Sequence, residues 1–177
     1  YSLILLVFLF FRVTFVVMAG IYIHIPFCKS RCSYCDFYSS TFLGNRKEII
    51  SNICQEIKEQ KNFFIHNENI KTIYFGGGTP SLLSLEELKT IFDTIEKNFV
   101  LDLHEVTLEA NPDDLNKEKI AEITQLPINR LSIGVQSFNN NDLRLFNRRH
   151  SAQQAIDAVK LCQDKGLNNI SIDLIYG

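Results

Sequence analysis

The sequence predicts an α/β fold built on a parallel sheet. Short runs rich in β-branched and aromatic residues alternate with longer stretches in which apolar residues recur every three or four positions. The short runs are typical of strands and the longer stretches of amphipathic helices. Because strict alternation of strand and helix favours parallel strands with right-handed crossovers, a doubly wound sheet or a β/α barrel is expected.

Five strands and four helices are expected in this alternating order. The strands are predicted over residues 21–25, 72–75, 105–110, 130–135 and 169–174. The helices are predicted over residues 46–63, 85–99, 117–125 and 152–165. The sequence stops at Gly177, just after the fifth strand. We therefore expect a partial β/α barrel that is left unclosed.

Capping residues mark the predicted helix ends. Ser84 with Glu87, and Ser151 with Gln154, have the spacing of a capping box, which favours helix starts at both places. Gly166 follows the last predicted helix, at the position where glycine commonly ends a helix.

The composition favours one ordered domain. The 177 residues are 46% hydrophobic and 21% charged, which is ordinary for a globular protein. A formal net charge of −2, with no basic run, argues against nucleic acid as a partner. No low-complexity linker divides the chain, so residues 18–177 are interpreted as one incomplete domain.

Residues 1–17 form an almost wholly apolar segment that is interrupted by Arg12. The segment is near the lower length limit for a membrane span and has no charged leader. Met18 is the only methionine, and a predicted strand follows it almost at once. We favour Met18 as the true start, with residues 1–17 as upstream or artefactual sequence. A membrane anchor and a secretory signal are the alternatives.

Three of the five cysteines, Cys28, Cys32 and Cys35, follow the first predicted strand within eight residues. An odd, clustered count fits a metal site in a reducing, cytoplasmic compartment better than a disulfide framework. Thiolates are the usual ligands of iron–sulfur clusters, and three of them leave one iron of a four-iron cube open. A zinc site with His24 as fourth ligand is the alternative. The remaining cysteines are expected to be buried in helices: Cys54 and Cys162.

Residues 76–80 read Gly-Gly-Gly-Thr-Pro at the end of the second predicted strand. Consecutive glycines admit positive φ angles and let backbone N–H groups approach a ligand, although a plain tight turn is the alternative. Glu109, Gln136 and Asp173 lie at or near the ends of the next three strands. Because the carboxyl ends of the strands build the active sites of β/α barrels, all these residues are candidates for one site.

The loop over residues 28–35, with Tyr34 just before its last cysteine, resembles the C-x3-C-x2-C signature of the radical S-adenosylmethionine (SAM) superfamily. The resemblance implies a [4Fe-4S] cluster whose open iron is chelated by the amino and carboxylate groups of SAM. It further implies that an electron from the reduced cluster splits SAM into methionine and a 5′-deoxyadenosyl radical. The glycine segment would contact the methionine end of SAM, and a side chain at Gly77 would intrude on that space.

The resemblance extends from about Tyr22 to Gly177. The segments YIHIPFCKSRCSYCDF, GGGTPSLL, LEANP, RLSIGVQSFN, NRRH and SIDLIYG are similar to the oxygen-independent coproporphyrinogen III oxidase family, which includes HemN oxidases and HemW-type haem chaperones. It implies that the cluster ligands are Cys28, Cys32 and Cys35. The residues that match positions contacting SAM or flanking the cluster are Tyr22, Tyr34, Gly77, Gly78, Thr79, Glu109, Gln136, Arg148 and Asp173.

Two features favour the chaperone branch. In the oxidases a further cysteine commonly lies two residues after the last cluster cysteine, where this chain has Phe37. The oxidases also carry a substrate-binding extension ahead of the first strand, whereas Cys28 lies ten residues after Met18. The alternatives are a coproporphyrinogen III oxidase, whose radical abstracts hydrogen from propionate side chains before decarboxylation, and a radical SAM enzyme with another substrate.

The resemblance also implies partners. They are haem or a porphyrinogen, an electron donor such as a flavodoxin or ferredoxin, and enzymes that accept haem. Haem-binding residues are expected beyond Gly177. Among the histidines, His66 and His104 are interpreted as loop residues and His24 as a strand residue, so His150, beside Arg148, is the one candidate for a function.

Overall fold

The computed structural model describes residues 19–63 and 68–176, so residues 1–17, Met18 and His66 lie outside the described part. All five predicted strands are present and every neighbouring pair is parallel, in the order β1-β2-β3-β4-β5. This sheet confirms the predicted α/β class. The strands are β1 Ala19–Ile25, β2 Ile70–Gly77, β3 Leu101–Ala110, β4 Arg130–Gln136 and β5 Ile170–Leu174.

Within residues 19–63 and 68–176, five α-helices lie between the strands: α1 Arg46–Glu59, α2 Leu85–Asn98, α3 Lys117–Ile123, α4 Asn140–Leu145 and α5 Ala152–Asp164. The capping boxes at Ser84 and Ser151 are both formed. The predicted helix over 46–63 is wrong at its end, because α1 stops at Glu59 and a 3-10 turn follows. Helix α4 was missed, since six residues are too few to show a helical repeat.

Strand β3 begins at Leu101, earlier than the predicted Glu105. Its first half alternates exposed and half-buried positions, so polar residues interrupt the apolar run that marks its second half. His104 is therefore an exposed strand residue, and its assignment to a loop is wrong.

The core lies between the sheet and the helices that cover it. Ile73, Phe75 and Leu108 of the central strands are almost completely buried. Cys54 and Cys162 are also buried, as predicted, and burial raises the pKa of the Cys162 thiol to about 11. Neither cysteine is placed to act as a reactive thiolate.

All strand ends that matter for the site lie at one edge of the sheet, because parallel strands direct their carboxyl ends the same way. The cysteine loop follows β1, the glycine segment follows β2, and residues 111–114 follow β3. Within the described residues, no helix has both the length and the apolar character needed to cross a membrane.

Candidate cofactor site

A cavity of about 390 Å³ opens at the carboxyl ends of the strands. The cysteine loop forms one wall, the glycine segment and the ends of β3 and β4 form another, and the loop between α4 and α5 completes it. Nearly all the residues predicted for the site line this cavity: Cys28, Cys32, Tyr34, Cys35, Gly77, Gly78, Thr79, Glu109, Gln136, Arg148 and Asp173.

Tyr22 is the predicted site residue that does not line this cavity. Its ring stacks on Tyr74 with centroids 6.0 Å apart, and its hydroxyl lies 3.1 Å from Nδ1 of His24. Burial and the nearby Glu109 carboxylate raise the pKa of Tyr22. Tyr22 thus contacts Tyr74, and Tyr74 donates a hydrogen bond to Glu109, which lines the cavity.

The cysteine loop is held by backbone hydrogen bonds at its base. The Cys28 N–H donates to the Ser40 carbonyl at 3.0 Å, and the Ser40 N–H donates to the Pro26 carbonyl at 2.8 Å. Phe27, between them, is completely buried. These contacts fix the point at which the loop leaves β1, while the three site thiols stay partly exposed and free of disulfides.

The end of α4 holds the other side of the loop. The Ser33 N–H and hydroxyl donate to the carbonyls of Phe146 at 3.2 Å and Leu145 at 2.8 Å. The Asn147 side-chain amide donates to the Arg31 carbonyl at 2.8 Å. The middle of the cysteine loop is therefore docked on a helix that lies more than a hundred residues away in sequence.

Two polar side chains approach the cysteine sulfurs. The Thr79 hydroxyl lies 3.5 Å from Sγ of Cys28, and the Arg148 guanidinium lies 3.4 Å from Sγ of Cys32. Donors and positive charge at these distances stabilise thiolates, the form that binds iron. The donor set therefore fits an iron–sulfur cluster.

The zinc alternative lacks its fourth ligand in this arrangement. Both ring nitrogens of His24 are engaged, with the Tyr22 hydroxyl at 3.1 Å and the Tyr38 carbonyl at 2.9 Å. His24 lines a separate groove beside β1 and α1 instead of the cysteine cavity. Among the described residues, no three His, Cys, Asp or Glu side chains converge on a point that would hold a single metal ion. A four-iron cube does not require the three thiolates to converge on one point, because each thiolate binds a different iron.

The glycine segment packs its Cα atoms against β1. Gly77 has a φ of +108°, and a Cβ atom there would lie 2.5 Å from Cε1 of His24. A Cβ atom at Gly78 would lie 2.6 Å from the carbonyl oxygen of Phe27. A side chain at Gly77 would thus contact the His24 ring, and its intrusion on the space of SAM stays a prediction.

Glu109, one residue before the end of β3, is a half-buried acid on the cavity wall. Its carboxylate accepts hydrogen bonds from the Tyr74 hydroxyl at 2.7 Å and from the Gly77 N–H at 3.1 Å. Burial raises its pKa, against the opposing effect of these two donors. Burial, together with Glu109, raises the pKa of Tyr74 to about 12, so the phenol stays a donor.

Arg148, in the loop after α4, joins several walls of the cavity. Its guanidinium donates to the Asn111 side-chain oxygen at 2.5 Å and to the Gly134 carbonyl. The Asn111 amide donates in turn to the Thr79 hydroxyl at 3.2 Å. Burial is the main cause that raises the pKa of Tyr34, 3.5 Å from Arg148, to about 12.

Gln136 ends β4 with a φ of +69°, an uncommon conformation for a residue other than glycine. Its carbonyl accepts from the Ile175 N–H at 2.9 Å, which ties the ends of β4 and β5 together. Asp173 in β5 accepts a 3.4 Å hydrogen bond from Ser132. Backbone strain of this kind is concentrated at functional sites, where the surrounding structure maintains it.

Sequence reasoning missed Asn111 and Ser132, which both line the cavity. Asn111 lies within the segment LEANP, which could have indicated it, but Glu109 alone of that segment was predicted for the site. His150 has another role than a free ligand. It is buried, its Nε2 lies 3.0 Å from the Val135 carbonyl, and burial lowers its pKa to about 4.

Comparisons with known proteins identify the family of this chain. Residues 22–177 match the model of the radical SAM superfamily. The chain is 43% identical over 156 residues to the heme chaperone HemW of Lactococcus lactis, covering 88% of this chain and 40% of that protein. It is 35% identical over 161 residues to HemW of Escherichia coli, covering 89% of this chain and 42% of that protein.

A solved structure shares the fold. Coproporphyrinogen III oxidase (HemN) from Escherichia coli, described as a radical SAM enzyme, superposes with a TM-score of 0.80 at 26% identity. The match covers 90% of this chain and 37% of the HemN chain. The chain thus spans about 40% of the length of the relatives it matches.

Proposed function

The chain belongs to the radical SAM superfamily, and on this premise we propose that it binds a [4Fe-4S] cluster and SAM and handles haem in the cytoplasm as a HemW-like chaperone. The observation that carries the proposal is the convergence of the cysteine loop, the glycine segment and the polar strand ends on one cavity. Haem itself, its acceptor enzymes and an electron donor such as a flavodoxin or ferredoxin are part of the proposal.

Cys28, Cys32 and Cys35 would each hold one iron, leaving the fourth iron to SAM. When bound and reduced, the cluster supplies the electron that cleaves SAM into methionine and a 5′-deoxyadenosyl radical. Thr79 and Arg148 direct a hydroxyl and a guanidinium at two of the sulfurs. Hydrogen bonds to cluster sulfurs are one of the means by which proteins tune the reduction potential.

The charges on the cavity wall suit the polar groups of SAM. Glu109 and Asp173 offer carboxylate oxygens for an ammonium group or ribose hydroxyls, and each oxygen has lone pairs beyond those already engaged. Arg148 places a positive charge near a bound carboxylate, while its terminal N–H groups donate to Cys32, Tyr34, Asn111 and Gly134. Gly77, Gly78 and Gln136 complete the wall, while Tyr22 and Tyr74 hold Glu109 in place.

The HemW relatives and Phe37 at the position of the additional oxidase cysteine support the chaperone. The second candidate is coproporphyrinogen III oxidase, which the structural likeness to HemN favours. Phe37 lines the cavity and is 70% exposed, so it presents an apolar ring where the oxidases commonly have a thiol.

The two candidates are separated by one pair of assays on the complete protein. One assay is anaerobic incubation with SAM, a reductant and coproporphyrinogen III, with products separated after oxidation. The other is a haem titration followed by Soret absorbance. We expect saturable haem binding and little or no conversion. Catalytic formation of protoporphyrinogen without saturable haem binding would overturn the chaperone proposal and establish the oxidase.

A further inference from the structure

Asp114, in the 3-10 helix that follows β3, carries a carboxylate that is only 2% exposed. Its Oδ1 lies 2.5 Å from Nζ of Lys29 and 3.6 Å from the Arg149 guanidinium, which also donates a closer hydrogen bond to the neighbouring Asp113. Its Oδ2 accepts a hydrogen bond from the Ser81 hydroxyl at 2.9 Å. One buried acid is thus hydrogen-bonded to Lys29 and Ser81 and paired electrostatically with Arg149, three residues from different parts of the chain.

Each partner of Asp114 belongs to a different wall of the cofactor site. Lys29 lies between the first two cluster cysteines and directly follows Cys28. Ser81 lies in the 3-10 helix that follows the glycine segment, and Arg149 directly follows Arg148. Asp114 therefore connects the segments that leave the carboxyl ends of β1, β2 and β4 with the segment that follows β3.

A buried charge is costly unless it is paired and hydrogen-bonded, and a buried ion pair is weak evidence of stabilisation by itself. Well-packed apolar residues would join these segments equally well. An ionic junction differs from them in placing charge next to the cysteine loop, where the carboxylates of Asp113 and Asp114 lie beside the cations of Lys29 and Arg149. Burial lowers the pKa of Arg149, while the thiols of Cys28 and Cys32 act in the opposite sense, so Arg149 lies within electrostatic reach of both.

We propose that Asp114 is a positioning residue for the cluster: it holds Lys29, and with Asp113 it holds Arg149, so that the cysteine loop keeps the shape that receives the cluster, and its charge offsets that of Lys29 beside the cluster. The inference rests on the proposed function. It assigns to this carboxylate an effect on the retention of the cluster and on its reduction potential, and it requires no contact between Asp114 and the cluster.

The test compares variants of the complete, anaerobically reconstituted protein by two measurements. The first is the rate of iron loss to a chelator, and the second is the midpoint potential from an EPR-monitored redox titration. Asp114→Asn keeps the size of the side chain and removes its charge. We expect iron loss to be at least tenfold faster, and the potential to become more positive, because the added electron is then less strongly repelled.

Changes at Lys29 separate the effect on the retention of the cluster from the effect on its reduction potential. Lys29 is 43% exposed and Asp114 keeps Ser81 and Arg149 as partners, so we expect Lys29→Met to disturb the fold less than Asp114→Asn. Lys29→Met should accelerate iron loss and move the potential in the negative direction, whereas Lys29→Arg should restore both values. The double variant Lys29→Met with Asp114→Asn should return the potential towards the wild-type value while iron loss stays fast.

The matched control is Glu87→Gln, which breaks a part-buried ion pair with Arg46 that lies away from the cavity. It should leave iron loss and potential unchanged, even where it lowers the thermal stability. A wild-type rate and potential in Asp114→Asn and Lys29→Met, with a normal cluster in the wild-type protein, would overturn this inference alone. A wild-type protein that holds no cluster would overturn the proposed function and this inference with it.

Discussion

Gly77 and Gly166 both have positive φ angles, but only Gly77 is crowded. Its φ is +108° and its Cβ position lies against the His24 ring, whereas Gly166 has a φ of +87° and nothing within 4 Å. Alanine in a left-handed conformation costs about 1–2 kcal/mol. A clash in a packed site costs about 1–3 kcal/mol more.

We therefore predict that Gly77→Ala lowers the free energy of unfolding more than Gly166→Ala. Urea unfolding of the two cluster-free variants beside the wild-type protein measures the difference. Adding His24→Ala to Gly77→Ala should restore the part of the unfolding free energy that the clash removes. The part that backbone strain removes should stay lost. Equal losses in the two single variants would show that the His24 ring yields freely and that Gly77 is needed only for its φ angle.

The site residues that the sequence predicted share a property that the missed ones lack. Cysteines, a run of glycines and isolated acids at strand ends are uncommon, so position and residue type alone identify them. Asn111, Ser132 and Asp114 are ordinary loop and strand residues by type. The roles of Ser132 and Asp114 arise from hydrogen bonds to Asp173, Ser81 and other side chains far away in sequence, which no local pattern encodes, whereas Asn111 at least lies within the LEANP segment.

Among the elements, α4 shows how a short helix takes part in the site. Its six residues are followed by Phe146 and then by Asn147, which has a φ of +56° and donates its side-chain amide to the Arg31 carbonyl. The strands were predictable because their apolar runs are buried in the sheet. Helix α4 was not, because its contacts to the cysteine loop, and not its periodicity, define its place.

Asn147→Gly keeps a residue that adopts positive φ easily and removes only the side-chain hydrogen bond. We predict faster release of iron to a chelator, with the free energy of unfolding reduced by no more than about 1.5 kcal/mol. Asn147→Ala should release iron at a similar rate and cost about 1 kcal/mol more, because it adds backbone strain. Chelator challenge and denaturant unfolding give both quantities.

Both variants lose the side-chain hydrogen bond and only Asn147→Ala adds backbone strain, so comparing them controls for the backbone conformation. If neither variant releases iron faster than the wild-type protein, the end of α4 does not hold the cysteine loop. If Asn147→Ala alone does so, the backbone conformation matters and the hydrogen bond to Arg31 does not.

At the scale of the whole molecule, one edge of a parallel sheet collects groups from the full length of the described chain. The β–α alternation predicted this edge, since it requires parallel strands and so brings their carboxyl ends together. What it did not predict is the direction of each side chain at that edge. Tyr22 is an example: it belongs to the strand that leads into the cysteine loop, but it does not line the cavity.

The central claim is that Cys28, Cys32 and Cys35 hold a cluster that SAM contacts at this cavity. The most direct measurement is the iron content and EPR spectrum of the complete protein after anaerobic reconstitution, with and without SAM. The account predicts about four irons per chain and a change in the signal of the reduced cluster when SAM is added. Alanine at any of the three cysteines should abolish both, whereas Cys54→Ala, in the core, should not. Stoichiometric zinc without an iron chromophore, or a cluster whose signal SAM leaves unchanged, would contradict the account.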